Sequence, residues 1–260
     1  EKKFFPIFTN FLALIKVINQ IDVRFISNSN ILKSIYENPL KKFLYEKKFF
    51  FSKKLILVNS VAFDFSKNRN NNVSEDYIVH IDVALNYYHK TSVRGKLSDY
   101  DYNQHYKCLN LFLKSLSKYF KKKVVVCIHP AYDLKEHQRN LKNFKVYKFR
   151  TREMIKKAFL VTFFDSTTIL DAVILKKRII GIISNYMSKN DVNRQYAWSN
   201  NLNCVKQTFD KNYFFNEKEI KKLKNHNKAR YKNYIQTYLK RDSDKMGIDQ
   251  IVTYIRKNLL

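Results

Sequence analysis

A doubly wound α/β fold built on a parallel sheet is what this 260-residue chain predicts, from three observations. Short apolar runs rich in Val, Ile and Leu recur at 54–58, 77–83, 124–128, 160–164 and 179–183. Uninterrupted runs of that length mark strands covered on both faces, as parallel strands are. Segments with helical spacing separate them, and such alternation gives right-handed βαβ units in one sheet. Polar residues also cluster just past the strand ends: His129-Pro130 after one run and Asp165-Ser166-Thr167-Thr168 after another. Ligands of open α/β sheets bind beyond the carboxyl ends of the strands, so these two ends are expected to face one ligand.

Taken in order, residues 11–20 read as a helix and 22–26 as a short strand. Ser29-Asn30 can cap a helix starting near Ile31, with Pro39 breaking it or following it. The run 54–58 is a clear buried strand, and the polar stretch 66–74 is the best linker in the chain. It separates a smaller N-terminal α/β domain, residues 1–75, from a second domain, residues 76–260. There, strand 77–83 ends near Asp82, and a loop carrying His89, Arg94 and Gly95 leads to a long helix, 99–121. Tyr102, Tyr106, Leu109, Phe112 and Leu113 form its apolar stripe. Strand 124–128 runs into His129-Pro130; a short helix at 134–141 and a weak strand at 145–149 follow. Thr151 is expected to cap helix 152–158, and strand 160–164 precedes a helix opened by Asp165–Thr168 and ending near 174. Strand 179–183 comes next. From about 217 the tail reads as helical, with a break at 241–244, and such helices can pack back on the earlier domain.

The formal charge of +28 implies attraction to a polyanion: nucleic acid, an anionic membrane surface or phosphorylated substrates. A compositional bias competes with that explanation. Lys, Asn, Ile, Phe and Tyr are abundant while Gly and Pro number 3 each, the pattern of AT-rich codons. Basic residues are spread over nearly every expected helix and no nucleic-acid-binding module is present, which counts against a nucleic-acid partner. The 3 cysteines form neither a disulfide framework nor a zinc pattern, as expected in a reducing cytoplasm. No apolar run reaches the roughly 18–20 residues that span a bilayer. The stretch 4–18, interrupted by Pro6, Asn10 and Lys16, reads as a buried or interfacial helix.

His129 at a strand end can donate to a phosphate oxygen or protonate a departing phosphate; a lone His-Pro is also a common structural strand end. Asp165–Thr168 offers hydroxyls and N–H groups at a helix start, which is an anion site or a simple capping sequence. Arg150, just before Thr151, can join it. Asp82 can serve as a general base if it faces the same cleft, with His89 assisting or binding the acceptor; either can equally be a loop residue. Asp99-Tyr100-Asp101 has metal-site spacing, but aspartates at a helix start are more simply explained by capping, so no metal site is assigned. The chain has no Walker loop, no G-x-G-x-x-G and no H-E-x-x-H. With so few glycines, an anion site must use side chains and helix ends.

The order from Asp82 through His89, the long helix, His129-Pro130, Thr151 and Ser166-Thr167-Thr168 resembles bacterial surface-polysaccharide glycosyltransferases of the GT-B type. Similar are capsule and lipooligosaccharide enzymes with an HP motif and a later serine motif, among them bacterial sialyltransferases and polysialyltransferases. Capsular Kdo transferases and teichoic-acid glycerophosphotransferases share the layout. The resemblance covers about residues 77–183. It implies a GT-B-like architecture, with a Rossmann-type sheet binding the nucleotide-sugar in the second domain. The first domain is then the acceptor side, and it is short for that role. By resemblance, His129 with Ser166 and Thr167 contacts the phosphate of a nucleotide-activated donor, such as a CMP-sugar carrying sialic acid or Kdo. Thr168 and Arg150 join that phosphate site, His89 and Arg94 fall on the acceptor side, and Asp82 is the base. Where the class has an acidic pair or an acidic-Gly motif, this chain has Asp82-Val83. The implied reaction is a metal-independent, inverting transfer without a cofactor, onto a surface-polysaccharide or lipid-linked glycan. The enzyme would then be cytoplasmic, with basic helices contacting an anionic inner-membrane face. A basic nucleic-acid-binding protein and an inactive transferase-like scaffold are the alternatives.

Overall fold

The computed structural model describes residues 21–26, 52–58, 60, 63–64, 76–83, 99–130, 134–135, 140–225, 228–239 and 246–258. The chain divides into two compact units, residues 1–67 with 233–260, and residues 68–232. The sequence reading puts the boundary at 75/76 and keeps the tail with the second domain; the tail instead groups with the N-terminal segment. Long-range backbone ties explain why. The Ser60 N–H donates to the Leu239 carbonyl at 2.8 Å. Asp64 accepts from the N–H groups of Gly247 (2.6 Å) and Ile248 (3.3 Å), capping the last helix, Gly247–Asn258. In this unit β1 (Ile21–Ile26) and β2 (Ser52–Leu57) pair in parallel. The helices expected at 11–20 and from 31, and the linker at 66–74, lie outside the described residues.

The second unit is α/β, with a six-stranded, all-parallel sheet. Its strands are β3 (Tyr77–Ile81), β4 (Lys123–Ile128), β5 (Lys145–Lys148), β6 (Ala158–Phe163), β7 (Arg178–Ser184) and β8 (Val205–Phe209). Their spatial order is β5-β4-β3-β6-β7-β8. The chain therefore steps outward from β3 to β5, returns to the middle, and steps outward again from β6 to β8. This is the Rossmann order, with its switch point between β3 and β6. Among the described residues its α-helices include α1 (Asp99–Phe120), α2 (Thr151–Lys156), α3 (Ile169–Ile174), α4 (Lys189–Asn201) and α5 (Glu217–Lys221).

Burial on both faces is what makes the strand runs continuous in the sequence. Ile78, Val124, Val126, Leu160, Ile180 and Ile182 share one core with the stripe Tyr106, Leu109, Phe112 and Leu113 of α1. The alternate residues Val79, Val125, Val161 and Ile179 are buried as well, so no position on these strands can be polar without an internal partner. Helix α2 begins at Thr151 with Arg150 at the capping position and no side-chain cap bond, so Thr151 is not the cap. Helix α4 and strand β8 are elements that the sequence reading leaves unassigned.

Helix α4 sits close to β7 because residue 181 is glycine. A Cβ there would lie 2.2 Å from Ser199 Oγ and 3.1 Å from Gln195 Nε2. We expect Gly181→Ala to destabilise the fold by about 1–3 kcal/mol, the range for overpacking a filled site. Ser199→Ala should recover much of that loss in the double variant, as read by chemical denaturation of all four proteins; independent, additive losses would mean that this approach is not the constraint.

Candidate functional site

Because every strand of the second unit is parallel, all carboxyl ends open on one edge of the sheet. His129 follows β4, Asp82 follows β3 and Ser166 follows β6, so the structure puts all three on that edge. The expected arrangement needs one correction. β3 pairs with both β4 and β6 and so stands between them. The His129 and Ser166 ends are thus not neighbours but flank the switch point, two strand spacings or about 10 Å apart.

The segment after β6 is a tightly held turn. Asp165 adopts a positive φ of 39°, a conformation that non-glycine residues adopt only when their surroundings fix it. Two residues of α4 do so. The Asp165 N–H donates to Gln195 Oε1 at 2.7 Å, and Gln195 Nε2 donates to the Phe163 carbonyl at 3.1 Å. The Asp165 carboxylate accepts from Arg194 Nε at 3.0 Å, and Arg194 also pairs with buried Asp191. Asp165 is consequently structural, and the hydroxyl residues after it are what the turn presents. Ser166 and Thr168 are half-buried and Thr167 is exposed.

The expected helix start at Asp165 is a second correction. α3 begins at Ile169, and the N–H groups of Ile169, Leu170 and Asp171 bond back to the carbonyls of Ser166, Thr167 and Thr168. Thr168 occupies the capping position without a side-chain cap bond. The helix supplies little anion-binding capacity of its own, so the hydroxyls of Ser166 and Thr167 are the groups at this end suited to a ligand.

Asp82 is not an accessible base. It is 3% exposed, its Oδ2 accepts from the Tyr106 hydroxyl at 2.9 Å, and its Oδ1 accepts from the Val83 N–H at 2.8 Å. Its own N–H donates to the Cys127 carbonyl at 2.9 Å, fastening the end of β3 to β4. His80 Nε2 lies 3.8 Å from Asp82 Oδ1, and His80 Nδ1 is 2.9 Å from Thr162 Oγ1 across the switch point. His105 on α1 stands in the same layer, 2.9 Å from Ser184 Oγ. Burial pushes the His105 imidazole down to about 4, and the neighbouring His80 adds to this while the Asp82 carboxylate opposes it. This polar layer positions the strand ends beneath the site.

His129 is half-buried, and burial with the nearby Lys148 ammonium lowers its pKa, so it is mostly neutral at neutral pH. A neutral imidazole can still donate one hydrogen bond. Arg150 stands beyond the edge strand β5, exposed and paired with Glu153 at 2.6 Å. Its guanidinium also lies over the Tyr147 ring, 5.4 Å from the centroid, and its hydrogen bonds go to Glu153 rather than to Ser166. His89 and Arg94 lie outside the described residues. Farther along the same edge, a cavity of about 430 Å³ is lined by Asp101, Asn185, Tyr186, Asp210, Lys211 and Asn212. Among the described residues no three His, Cys, Asp or Glu side chains group as metal ligands. No described helix is long and apolar enough to cross a membrane.

Of the residues that sequence reasoning passed over, His80 was legible: His80-x-Asp82 on a strand puts both side chains on one face. Gln195 and Arg194 carried no such signal, since their partners are 29 to 32 residues away.

No protein-family model and no curated protein matches the chain. Among solved structures it is similar to the Methanocaldococcus jannaschii UDP-GlcNAc 2-epimerase in complex with UDP-GlcNAc and UDP. Identity there is 13% and the TM-score 0.46, over 78% of this chain and 55% of that one. It is also similar to the wall teichoic acid polymerase TagF, as a histidine-to-asparagine variant soaked with CDPG. Identity is 14% and the TM-score 0.43, over 86% of this chain and 58% of that one. The same variant without the soak gives 14% and 0.43, over 80% and 54%. The chain thus spans little more than half the length of these proteins, and likenesses this distant carry no argument about what it binds.

Buried, neutral His105 sets a pH dependence. Unfolded, it titrates near the ordinary value of about 6.5, and folded near 4. The unfolded chain therefore binds the extra proton, so the stability held by neutral His105 is complete above about pH 6.5 and lost as pH falls towards 4. In urea-midpoint series from pH 7.5 to 4.5, His105→Gln should show a shallower acid-side decline than the wild type; parallel declines would refute the assignment.

Proposed function

We propose that this chain is a glycosyltransferase whose second unit holds a nucleotide-activated sugar at the carboxyl edge of its sheet. One observation carries the reading: His129 and the Ser166–Thr168 turn flank the switch point of a Rossmann-ordered sheet, where this architecture binds phosphorylated ligands. The donor's phosphate lies over the end of β3. His129 donates to it from the β4 side, and the hydroxyls of Ser166 and Thr167 donate from the β6 side. As the bond between the anomeric carbon and the phosphate oxygen breaks, its electron pair stays on that oxygen as negative charge, while the acceptor hydroxyl oxygen bonds to the carbon and releases its proton to solvent. Donors already aimed there stabilise the leaving group without reorganising.

The finer reading follows the sequence motifs. The donor is a CMP-sugar of the nonulosonate type, such as sialic acid or Kdo, and the acceptor is a surface-polysaccharide or lipid-linked glycan. A site without a glycine cradle suits a single phosphate held by side chains better than a diphosphate laid along a loop. Asp82 acts in this scheme as a positioning residue: its buried carboxylate keeps the end of β3 in place.

A thermal-shift panel of CMP, CDP, UDP and GDP reads the nucleotide directly, because a ligand bound only by the folded state raises the Tm. We expect CMP to give the largest shift. His129→Ala and Ser166→Ala should each abolish most of that shift and lower transfer by about 10²–10³-fold, with the unliganded Tm nearly unchanged. Unaltered shift and transfer in both variants would remove this site.

A further inference from the structure

The opposite edge of the second unit's sheet, where the strands begin, carries a cavity of about 1050 Å³. Its wall includes Lys114, Lys118, Lys121, Lys122, Lys123 and Lys145, six of 15 lining residues. Lysine and arginine together make up 50 of 260 residues in the whole chain, so basic residues here are about twice as dense as the composition supplies. A general codon bias does not produce that concentration. The helix dipole accounts for Lys118 in the last turn of α1, but not for Lys123 and Lys145 at the starts of two strands.

Most of this charge has no carboxylate beside it. Asp76 is the one carboxylate on the wall. Among the described residues, no ion pair joins Lys114, Lys118, Lys121, Lys123 or Lys145 to a carboxylate. Five of the six lysines are exposed, with only Lys122 half-buried. Lysine is a compact point charge without the planar fork of arginine, so a lysine-only wall selects by charge count rather than by bidentate geometry. The cavity reaches the size of sites that enclose a whole small molecule. The length of β4 separates it from the His129 end by about 20 Å.

We propose that this edge is a second binding site, for a ligand carrying a di- or oligophosphate group, occupied independently of the carboxyl-edge site. The phosphates sit among Lys114, Lys118, Lys121, Lys123 and Lys145, and Tyr77 and Tyr147 form the adjoining wall. A soluble oligophosphate and the diphosphate headgroup of a lipid present the same chemistry. The proposal does not rest on the transferase reading, and each can fail alone.

The test uses the full chain, with tripolyphosphate as the soluble probe in calorimetric titrations and phosphatidylcholine vesicles containing a polyprenyl diphosphate as the lipid probe in flotation. We expect one or both to bind, with the same affinity whether or not CMP is present. The variant K114Q/K118Q/K145Q should weaken binding by about tenfold, the sum of three exposed charge contacts. A control variant at the carboxyl edge, K189Q/K211Q, should leave it unchanged. Tripolyphosphate binding alone identifies a soluble ligand, and vesicle binding alone a lipid one. Equal losses in the triple variant and the control, displacement by CMP, or binding of neither probe would overturn the proposal. A Tm for each variant within a few degrees of the wild type guards the comparison, and single Lys118→Gln and Lys145→Gln proteins, expected to lose about twofold each, replace the triple variant if it fails to fold.

Discussion

Parallel pairing is the constraint from which the rest of the second unit follows. A parallel strand cannot be joined to its neighbour by a tight turn, so each connection must cross the sheet and return to the same starting edge. All the strand beginnings are thereby gathered at one edge and all the ends at the other. Residues 47 positions apart in sequence, His129 after β4 and Lys176 before β7, are forced to opposite edges, whereas His129 and Ser166 share one. The two edges differ in chemistry as a result. Hydroxyls, an imidazole and a buried carboxylate gather at the ends, and lysines at the beginnings.

The polar layer under the carboxyl edge shows how such a site is held. Burying His80, Asp82, His105 and Thr162 in an otherwise apolar sheet is costly unless their atoms find partners. Tyr106 and the Val83 N–H satisfy Asp82, Thr162 faces His80, and Ser184 faces His105. These bonds link α1, β3, β6 and β7 at the level where the strands stop. The Asp165 turn is fastened in a comparable way from the other side by Gln195 and Arg194, which can reach it only because Gly181 lets α4 approach. A ligand at this edge therefore meets side chains standing on a braced support.

How much of this was legible in the sequence depends on the range of the signal. The strands at 77–83, 124–128, 160–164 and 179–183 were readable within a residue or two, because burial on both faces leaves an unbroken apolar run. The stripe of α1 was readable for the same local reason. β8 was harder, since its residues alternate between buried and half-buried and include Lys206 and Gln207. The places of His129 and Ser166 at strand ends followed from the strands, but their separation by β3 did not, because strand order is a property of the whole sheet. Asp82 was misread as an open base for a similar reason: its partner Tyr106 looked like one more apolar stripe residue, and only packing turns its hydroxyl onto the carboxylate.

The division of the chain has an effect during synthesis. Residues 68–232 form a contiguous unit, whereas the other unit is assembled from both termini. The interior unit can fold as soon as it leaves the ribosome. The terminal one must wait until Asp64 meets the N–H groups of Gly247 and Ile248, some 183 residues later. Until residues 247–258 are made, the unit that contains β1 and β2 lacks the helix that Asp64 caps.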